Sequence, residues 1–380
     1  YAVISGRPRD REEILSNYKN YDIIITSYAL LRNDIDAYVD REFEIVIVDE
    51  AQYIKNRDAK ITKYVKLLNS KIKIALTGTP IENSISDLWS IFDFIMPGML
   101  GNYQNFIEKY SRPENYEDLA KRISYFVLRR KKEDVLKELP RKIEQNVFVP
   151  LSAEQSEIYE KMVKELRLSV LKQVGDVGFE KSKIHIFSAL TKLRQVCDHP
   201  WLISDEYRNL KSGKMELLMD LLDDAIEGGH KVLVFSQFVE MLKIIKEEFD
   251  RQGIKYSYLD GSTKNRQKVI DEFNENNDIK VFLISLKAGG FGINLTSADI
   301  VILYDPWWNP MVEKQAMDRV HRIGQVKTVN VYKLISENTI EEKILSLQES
   351  KKLIFSNVIE ASSSILSSMT WDEIKNLFEV

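Results

Sequence analysis

Three continuous apolar runs open the chain: DIIITSY (Asp22–Tyr28), FEIVIVDE (Phe43–Glu50) and KIKIALTGT (Lys71–Thr79). Unbroken runs of this length predict strands of a parallel sheet, covered on both faces. Between the second and third runs, Ile61, Tyr64, Val65 and Leu68 recur at helical spacing. Strand, helix and strand in this rhythm predict a right-handed parallel crossover. From about Trp89 to Arg141 the strand pattern gives way to short helical stretches interrupted at Pro97-Gly98 and Pro113. KIEQNVFVP (Lys142–Pro150) then predicts a lone strand. A long helix follows, with Ser152 as N-cap and Gln155 at the capping-box position. GDVGFEKSK interrupts that helix, and a second helix over about 184–196 runs into His199-Pro200.

The alternation of strands and helices returns after Ser212–Lys214. KVLVFS (Lys231–Ser236), KYSYLD (Lys255–Asp260), KVFLISL (Lys280–Leu286), DIVILYD (Asp299–Asp305) and VNVYKLI (Val329–Ile335) predict strands separated by helices. An amphipathic helix over Asn338–Ile359, a serine-rich break (Ser362–Ser368) and a short helix near Asp372–Phe378 close the sequence. No repeat with a period of about 20–50 residues runs through it. The fold class expected is α/β, with two parallel-sheet regions.

Composition narrows this picture only slightly. At 380 residues, 44% hydrophobic and 29% charged, the chain reads as two or three globular domains. No apolar run approaches the ~20 residues that span a bilayer, so no membrane association is expected. YAVISGRPRD carries no signal-peptide pattern and no initiator Met, so an intracellular fragment or processed piece is expected. The one cysteine, Cys197, excludes an internal disulfide framework. Cys197, His199 and the scattered His185, His230 and His321 lack the paired spacing of a structural zinc site. The net charge of −4 supplies no global field for nucleic acid, but Lys121–Lys142 holds nine Lys/Arg against three Asp/Glu, a local net of +6. Such a run reads as a solvated helix face or as a phosphate-tracking linker.

The candidate chemistry clusters at strand ends. IVIVDEAQ (Ile45–Gln52) places Asp49 and Glu50 where ligands of open parallel sheets bind. Phosphoryl transfer needs one acid for Mg²⁺ and one to orient the attacking water; a surface acid pair is the plainer alternative. The phosphate cradle G-x-x-x-x-G-K-[ST] occurs nowhere in the 380 residues. RNLKSGKM has Arg208 where the first glycine belongs and Met215 where Ser/Thr belongs, and the GGFG of Gly289–Gly292 lacks the lysine. The phosphates are therefore expected to be held upstream of Tyr1. LTGTP (Leu76–Pro80) offers Thr77 and Thr79 as coupling hydroxyls or as a simple turn. In QAMDRVHRIGQ (Gln315–Gln325), a helix would put Gln315, Arg319 and Arg322 on one face, as an arginine clamp or as a salt-bridged face with Asp318. His321 points off that face and reads as structural or DNA-facing. Near Gly290 and Gly292, main-chain N–H groups could approach an anion, with Lys287 and Asn294 adding donors. Trp307-Trp308 reads as a stacking surface or as core.

Taken in order, DIIITSY, VDEAQYIKN, LTGTPIENS, FVLRRKKEDV, LRQVCDHP, SGKMELL, VLVFSQF, YLDGST, SLKAGGFGINLTSADIVILYDPWWNP and DRVHRIGQ resemble the SWI/SNF-type helicase-like ATPases of helicase superfamily two. The likeness covers about Tyr21 to Ile344. It implies two RecA-like lobes, the first truncated at its N-terminus, with family-specific helical insertions, closing on ATP. The divisions implied are residues 1–90 for the rest of lobe one and 91–141 for a helical insertion and basic linker. Residues 142–212 would form a strand plus the insertion of lobe two, 213–337 lobe two, and 338–380 a helical brace. The resemblance makes Asp49 the Mg²⁺ acid and Glu50 the water acid, with Arg319 and Arg322 as fingers and Gln315 in the same motif. Gly290, Gly292 and Asn294 would line the nucleotide cleft. Thr26, Thr77, Thr79, Lys287, Asp260, Gly261 and Ser262 would lie at DNA.

The activity implied is an ATP-driven, DNA-stimulated motor on double-stranded DNA, remodelling an unidentified DNA-bound protein. Two departures qualify the likeness. Ala51-Gln52 stand where chromatin remodellers carry Gly-His, which favours a prokaryotic-type translocase; and the phosphate loop is absent, so the chain alone is expected to be inactive. The alternatives are a non-catalytic DNA-binding module of this fold and a strand-separating helicase.

Overall fold

The computed structural model describes residues 1–78, 85–128, 130, 132–136, 138–289, 294–307, 310–355 and 369–378. They divide into two compact units, one holding Tyr1–Leu128 with Ile354 and Phe355, and the other Arg129–Leu353 with residues 369–378.

In the first unit β1 (Ala2–Val3) pairs in parallel with β2 (Ile24–Ile25), and β3 (Glu42–Val48) with β4 (Asn69–Ala75). The first predicted strand is cut short by its own polar residues. Ser27 accepts a hydrogen bond from the Leu30 N–H at 3.3 Å and caps a helix over Tyr28–Asn33. The predicted crossover helix forms over Lys60–Leu67, and its Val65 packs with Leu31, Val48, Ile54 and Phe94. Burial on both faces, expected from the apolar runs, is not observed. Ile45, Ile47, Ile72 and Ile74 are 48%, 58%, 52% and 38% exposed. Among the described residues β3 and β4 pair only with each other and their core lies on one side, so the two-residue period of a strand leaves alternate isoleucines open. A second cluster built on Leu88, Phe92, Phe106, Tyr110 and Leu119 holds the helical stretch that follows. The Ser90 hydroxyl donates to the Ile54 carbonyl at 2.7 Å and Lys66 pairs with Asp93 at 2.7 Å, joining that stretch to the turn after β3 and to the crossover helix.

The second unit is built on β5 (Lys142–Val149), β6 (Val232–Ser236), β7 (Tyr256–Leu259), β8 (Val281–Ser285), β9 (Ile300–Leu303) and β10 (Val329–Ser336). They form one sheet in the order β5-β10-β9-β6-β8-β7, with every neighbouring pair parallel. β6, β8 and β9 are buried at every position, which explains their unbroken apolar sequence. Leu233 and Phe235 face one apolar layer, Val232 and Val234 the other. KIEQNVFVP, a lone strand between helical stretches of the sequence, is the sheet's edge strand, in register with β10 from Lys142 opposite Val329 to Val149 opposite Ser336.

Between β5 and β6 two helices, Ala153–Val177 and Phe179–Asp198, make a hairpin. The Ser152–Gln155 capping box forms as its sequence predicts. The break is narrower than GDVGFEKSK implied: Gly178 alone makes it, with φ +84°, so the second helix starts at Phe179. The closing helix spans Ile340–Phe355; residues 356–359 and the serine-rich stretch lie outside the described residues. Thr370 caps the final helix, Trp371–Leu377. No described helix is long and apolar enough to cross a membrane.

Candidate functional site

In the first unit β3 delivers Asp49 and Glu50 beyond its carboxyl end. Glu50 has φ 49° and ψ 54°, in the left-handed region. A residue with a Cβ pays about 1 kcal/mol or more to stand there, and strain of this kind gathers at functional sites. Around it the structure is tied down. An Asp49 carboxylate oxygen accepts from the Glu50 N–H at 2.9 Å, and the Tyr28 hydroxyl donates to the Asp49 carbonyl at 2.7 Å. Burial, then the charges of Asp49 and Glu50, raise the Tyr28 phenol well above its ordinary pKa, so it remains a donor.

Gln52 links the two motifs of this unit. Its amide nitrogen donates to Glu50 Oε2 at 2.5 Å, and its oxygen accepts from the Thr77 hydroxyl at 2.9 Å. The main chain runs parallel to this link, with the Ala51 N–H donating to the Leu76 carbonyl at 2.9 Å. Sequence reasoning assigned no role to Gln52, although its signal was present: an amide two residues beyond the acid and the right length to bridge strand ends. Thr26 is half-buried directly after β2. Thr79 lies outside the described residues.

Asp49 is exposed, and among the described residues no group of three His, Cys, Asp or Glu is arranged to hold a metal ion. An exposed carboxylate without a protein cage suits Mg²⁺, which is held by one or two carboxylates together with substrate phosphates and water.

In the second unit the arginine motif departs from its expected geometry. The helix that carries it spans only Pro310–Met317, so Gln315 is helical while Arg319 and Arg322 follow in turns. The shared helical face is therefore absent. The turns are defined instead by Val320 N to the Met317 carbonyl at 3.0 Å, Arg322 N to the Val320 carbonyl at 3.1 Å and Gln325 N to the Arg322 carbonyl at 2.9 Å, with Gly324 at φ +102°. Arg319 is half-buried and Arg322 exposed. Asp318 pairs with Lys132 at 2.6 Å. The His321 Nε2 lies 2.8 Å from the Pro140 carbonyl. Of the basic run, Lys121 also pairs with Glu117 at 2.9 Å and Lys142 with Glu144 at 2.6 Å.

The Asp260-Gly261-Ser262 segment is a self-closed turn after β7. Asp260 accepts from the Ser262 N–H at 2.8 Å, the Ser262 hydroxyl at 2.7 Å and the Tyr258 hydroxyl at 3.1 Å. Burial would raise its carboxyl, but these donors outweigh burial and hold it below the usual carboxylate range. Gly261 meets nothing within 4 Å, leaving the turn open to a ligand's close approach. Lys287 lies in the short helix Leu286–Gly289 after β8. Asn294 is exposed, its carbonyl accepting from Asn274 at 3.1 Å. Gly290 and Gly292 lie outside the described residues.

Lys214, in the segment nearest to a phosphate loop, has no phosphate role open to it. It is 1% exposed and held between Asp198 at 2.9 Å and Glu341 at 2.7 Å. Arg194 and Asp305 complete this buried group, whose three carboxyls face two cations. Burial raises the carboxyls of Asp198 and Asp305, the latter to about 6. Trp307 is half-buried against the core, while Trp308 lies outside the described residues.

Residues 2–202 match the profile of the SNF2-related domain, and residues 213–324 that of the helicase conserved C-terminal domain. The chain is 40% identical over 376 residues to a Mycoplasma pneumoniae protein described as an uncharacterized ATP-dependent helicase, covering 98% of this chain and 36% of that protein. It is 36% identical over 442 residues to the TATA-binding protein-associated factor mot1 of Schizosaccharomyces pombe, covering 98% of this chain and 22% of that one. The chain thus spans about a third of the length of these curated relatives, or less. Among solved structures, the Sulfolobus solfataricus SWI2/SNF2 ATPase core in complex with dsDNA is 40% identical, with a TM-score of 0.54 over 100% of this chain and 80% of that one. The core domain from the same organism gives 39% identity and 0.54, covering 84% of its chain.

Proposed function

The chain belongs to the SNF2-related family of helicase-like ATPases, and on that premise we propose that it carries the catalytic acids and arginines of a motor that hydrolyses ATP while tracking double-stranded DNA and remodelling protein–DNA complexes. The observation that carries this reading is the Glu50–Gln52–Thr77 link, with Glu50 held in a strained backbone conformation at a strand's carboxyl end.

In this reading Glu50 accepts a hydrogen bond from the attacking water and takes up its proton as the bond to the γ-phosphorus forms and the bond from that phosphorus to the β–γ bridging oxygen breaks, releasing ADP and inorganic phosphate. Asp49 would hold Mg²⁺, which when bound neutralises phosphate charge. Gln52 keeps the Glu50 carboxylate in place and passes its position to Thr77, from which nucleotide state can reach the DNA-facing turns. Arg319 and Arg322 offset charge developing on the transferred phosphoryl, with Gln315 supporting the same motif. Gly290, Gly292 and Asn294 line the nucleotide. Thr26, Thr77, Thr79, Lys287 and the Asp260-Gly261-Ser262 turn meet the DNA backbone. Residues 142–212 and 338–380 act as insertion and brace.

The phosphate cradle is supplied from outside these 380 residues, and the chain alone turns over slowly or not at all. The absence of G-x-x-x-x-G-K-[ST] from the sequence supports this and also favours a second reading, a DNA-binding module without catalysis. Steady-state ATP hydrolysis, with and without duplex DNA, decides between them when measured on this chain and on the complete protein expressed from its gene. Turnover stimulated by duplex DNA in the complete protein supports the motor. DNA binding with no hydrolysis in either form supports the module.

A further inference from the structure

We infer that Arg194, at the base of the helical hairpin, is a positioning residue for the arginine motif, so that the hairpin sets how Arg319 and Arg322 are presented. This rests on the ATPase reading above. Arg194 is 2% exposed, deep in the second unit. Its guanidinium donates to the Pro306 carbonyl, and it lies 5.8 Å from the centre of the Phe238 ring. Pro306 is followed by Trp307, whose N–H donates to Glu313 Oε1 at 2.7 Å. Glu313 is 3% exposed and sits on the helix Pro310–Met317, two residues before Gln315 and six before Arg319. Lys333 of β10 fixes its other oxygen at 3.0 Å.

Described residues thus connect the hairpin to the arginine motif by hydrogen bonds and one peptide step. A second grip on the same segment comes from the closing helix, where the Gln348 amide donates to the Trp307 carbonyl at 3.0 Å. The hairpin end cannot shift independently. The Tyr304 hydroxyl donates to the Asp198 carbonyl at 3.1 Å, and the Ser212 hydroxyl to the same carbonyl at 2.6 Å. Arg194 is buried among other charges and offsets the carboxylates of Asp198 and Asp305. Charge balance alone does not require a hydrogen bond to Pro306, and the planar fork carries that donor into the segment that leads to the motif. A displacement of about 1 Å at a reacting group costs on the order of a hundredfold in rate, so a small loss of register at Pro306 would be felt at the arginines.

The test uses the complete protein and measures kcat, KM for ATP, duplex-DNA affinity and thermal midpoint. Arg194→Met is expected to lower DNA-stimulated kcat at least about tenfold while KM and DNA affinity stay within about twofold. Arg194→Lys should recover part of the loss. Gln348→Ala, at a half-buried site away from the charge cluster, should move kcat in the same direction with little change in thermal midpoint; it carries the test if Arg194→Met does not fold. In an Arg322→Ala background, Arg194→Met should change turnover by less than about twofold, because both act through one motif. Wild-type kcat in both Arg194→Met and Gln348→Ala overturns the inference, as do losses that multiply with Arg322→Ala. A wild-type protein that binds DNA but hydrolyses nothing overturns the ATPase reading, and this inference with it.

Discussion

The Thr77 hydroxyl donates to the oxygen of Gln52 at 2.9 Å, and Gln52 passes the contact to Glu50 through its amide nitrogen at 2.5 Å. One side chain therefore reads both strand ends of the first unit. A glutamine is suited to this because it donates at one end and accepts at the other. Gln52→Glu would lose the donor toward Glu50 and place two carboxylates side by side. Gln52→Ala is expected to lower DNA-stimulated turnover about tenfold, the value of roughly one hydrogen bond to a charged group, with ATP affinity unchanged. Steady-state kinetics of the complete protein checks this; unchanged turnover would remove Gln52 from the mechanism.

Glu50→Gly relieves the left-handed strain and removes the water-orienting acid together. The variant should gain up to about 1 kcal/mol in stability and lose about a hundredfold or more in hydrolysis. Chemical denaturation alongside turnover measures both effects on one preparation. A loss of stability would show that the Glu50 side chain contributes more through its bond to Gln52 than its backbone costs.

Arg322 is exposed in a turn, where an alanine costs the fold little. Arg322→Ala should leave the thermal midpoint unchanged and lower turnover by about a thousandfold, the scale of an arginine finger. Near-normal DNA-stimulated turnover would sink the assignment.

Asp305 makes the second unit sensitive to pH. Arg194, Lys214, Asp198, Glu341 and the Gln237 N–H bear on its environment. Burial is the main cause that raises its carboxyl to about 6. Because the folded form holds its proton more tightly than the unfolded chain, whose Asp titrates near pKa ~3.9, the contribution of Asp305 to stability falls as pH rises between about 4 and about 6 and stays reduced above. Asp305→Asn keeps an acceptor for the Gln237 N–H and should stabilise the second unit at neutral pH by on the order of 2 kcal/mol. Urea midpoints across that range check it as a difference: burial lowers His199 to about 4, which makes stability rise with pH over the same window in both proteins, so the advantage of the variant over the wild type should grow between about pH 4 and about 6.

Much of this was legible in the sequence because burial on both faces leaves a plain signature. β6, β8 and β9 are buried at every position, and their runs Lys231–Ser236, Lys280–Leu286 and Asp299–Asp305 were read to within a few residues. The Ser152–Gln155 box was equally direct, being local chemistry. Misreadings arose where a local cap or turn overrides the apolar pattern, and where distant partners decide. The run Asp22–Tyr28 looks like a strand until Ser27 caps a helix. Arg319 and Arg322 have helical spacing, yet the helix stops at Met317 and turns take over. No periodicity could reveal that Lys214 is held between Asp198 and Glu341, since those carboxylates lie far away along the chain.

The two units also differ in how their secondary structure is supported. The second closes six strands between two apolar layers and locks a charge cluster inside. The first holds pairs of strands with alternate isoleucines open to water. Cooperativity follows supported contacts, and regions with few of them open at lower free energy. Heating should therefore release amide protection in β3 and β4 well before β6 and β8. Calorimetry on this chain should resolve two transitions, and a single melting temperature would describe neither unit.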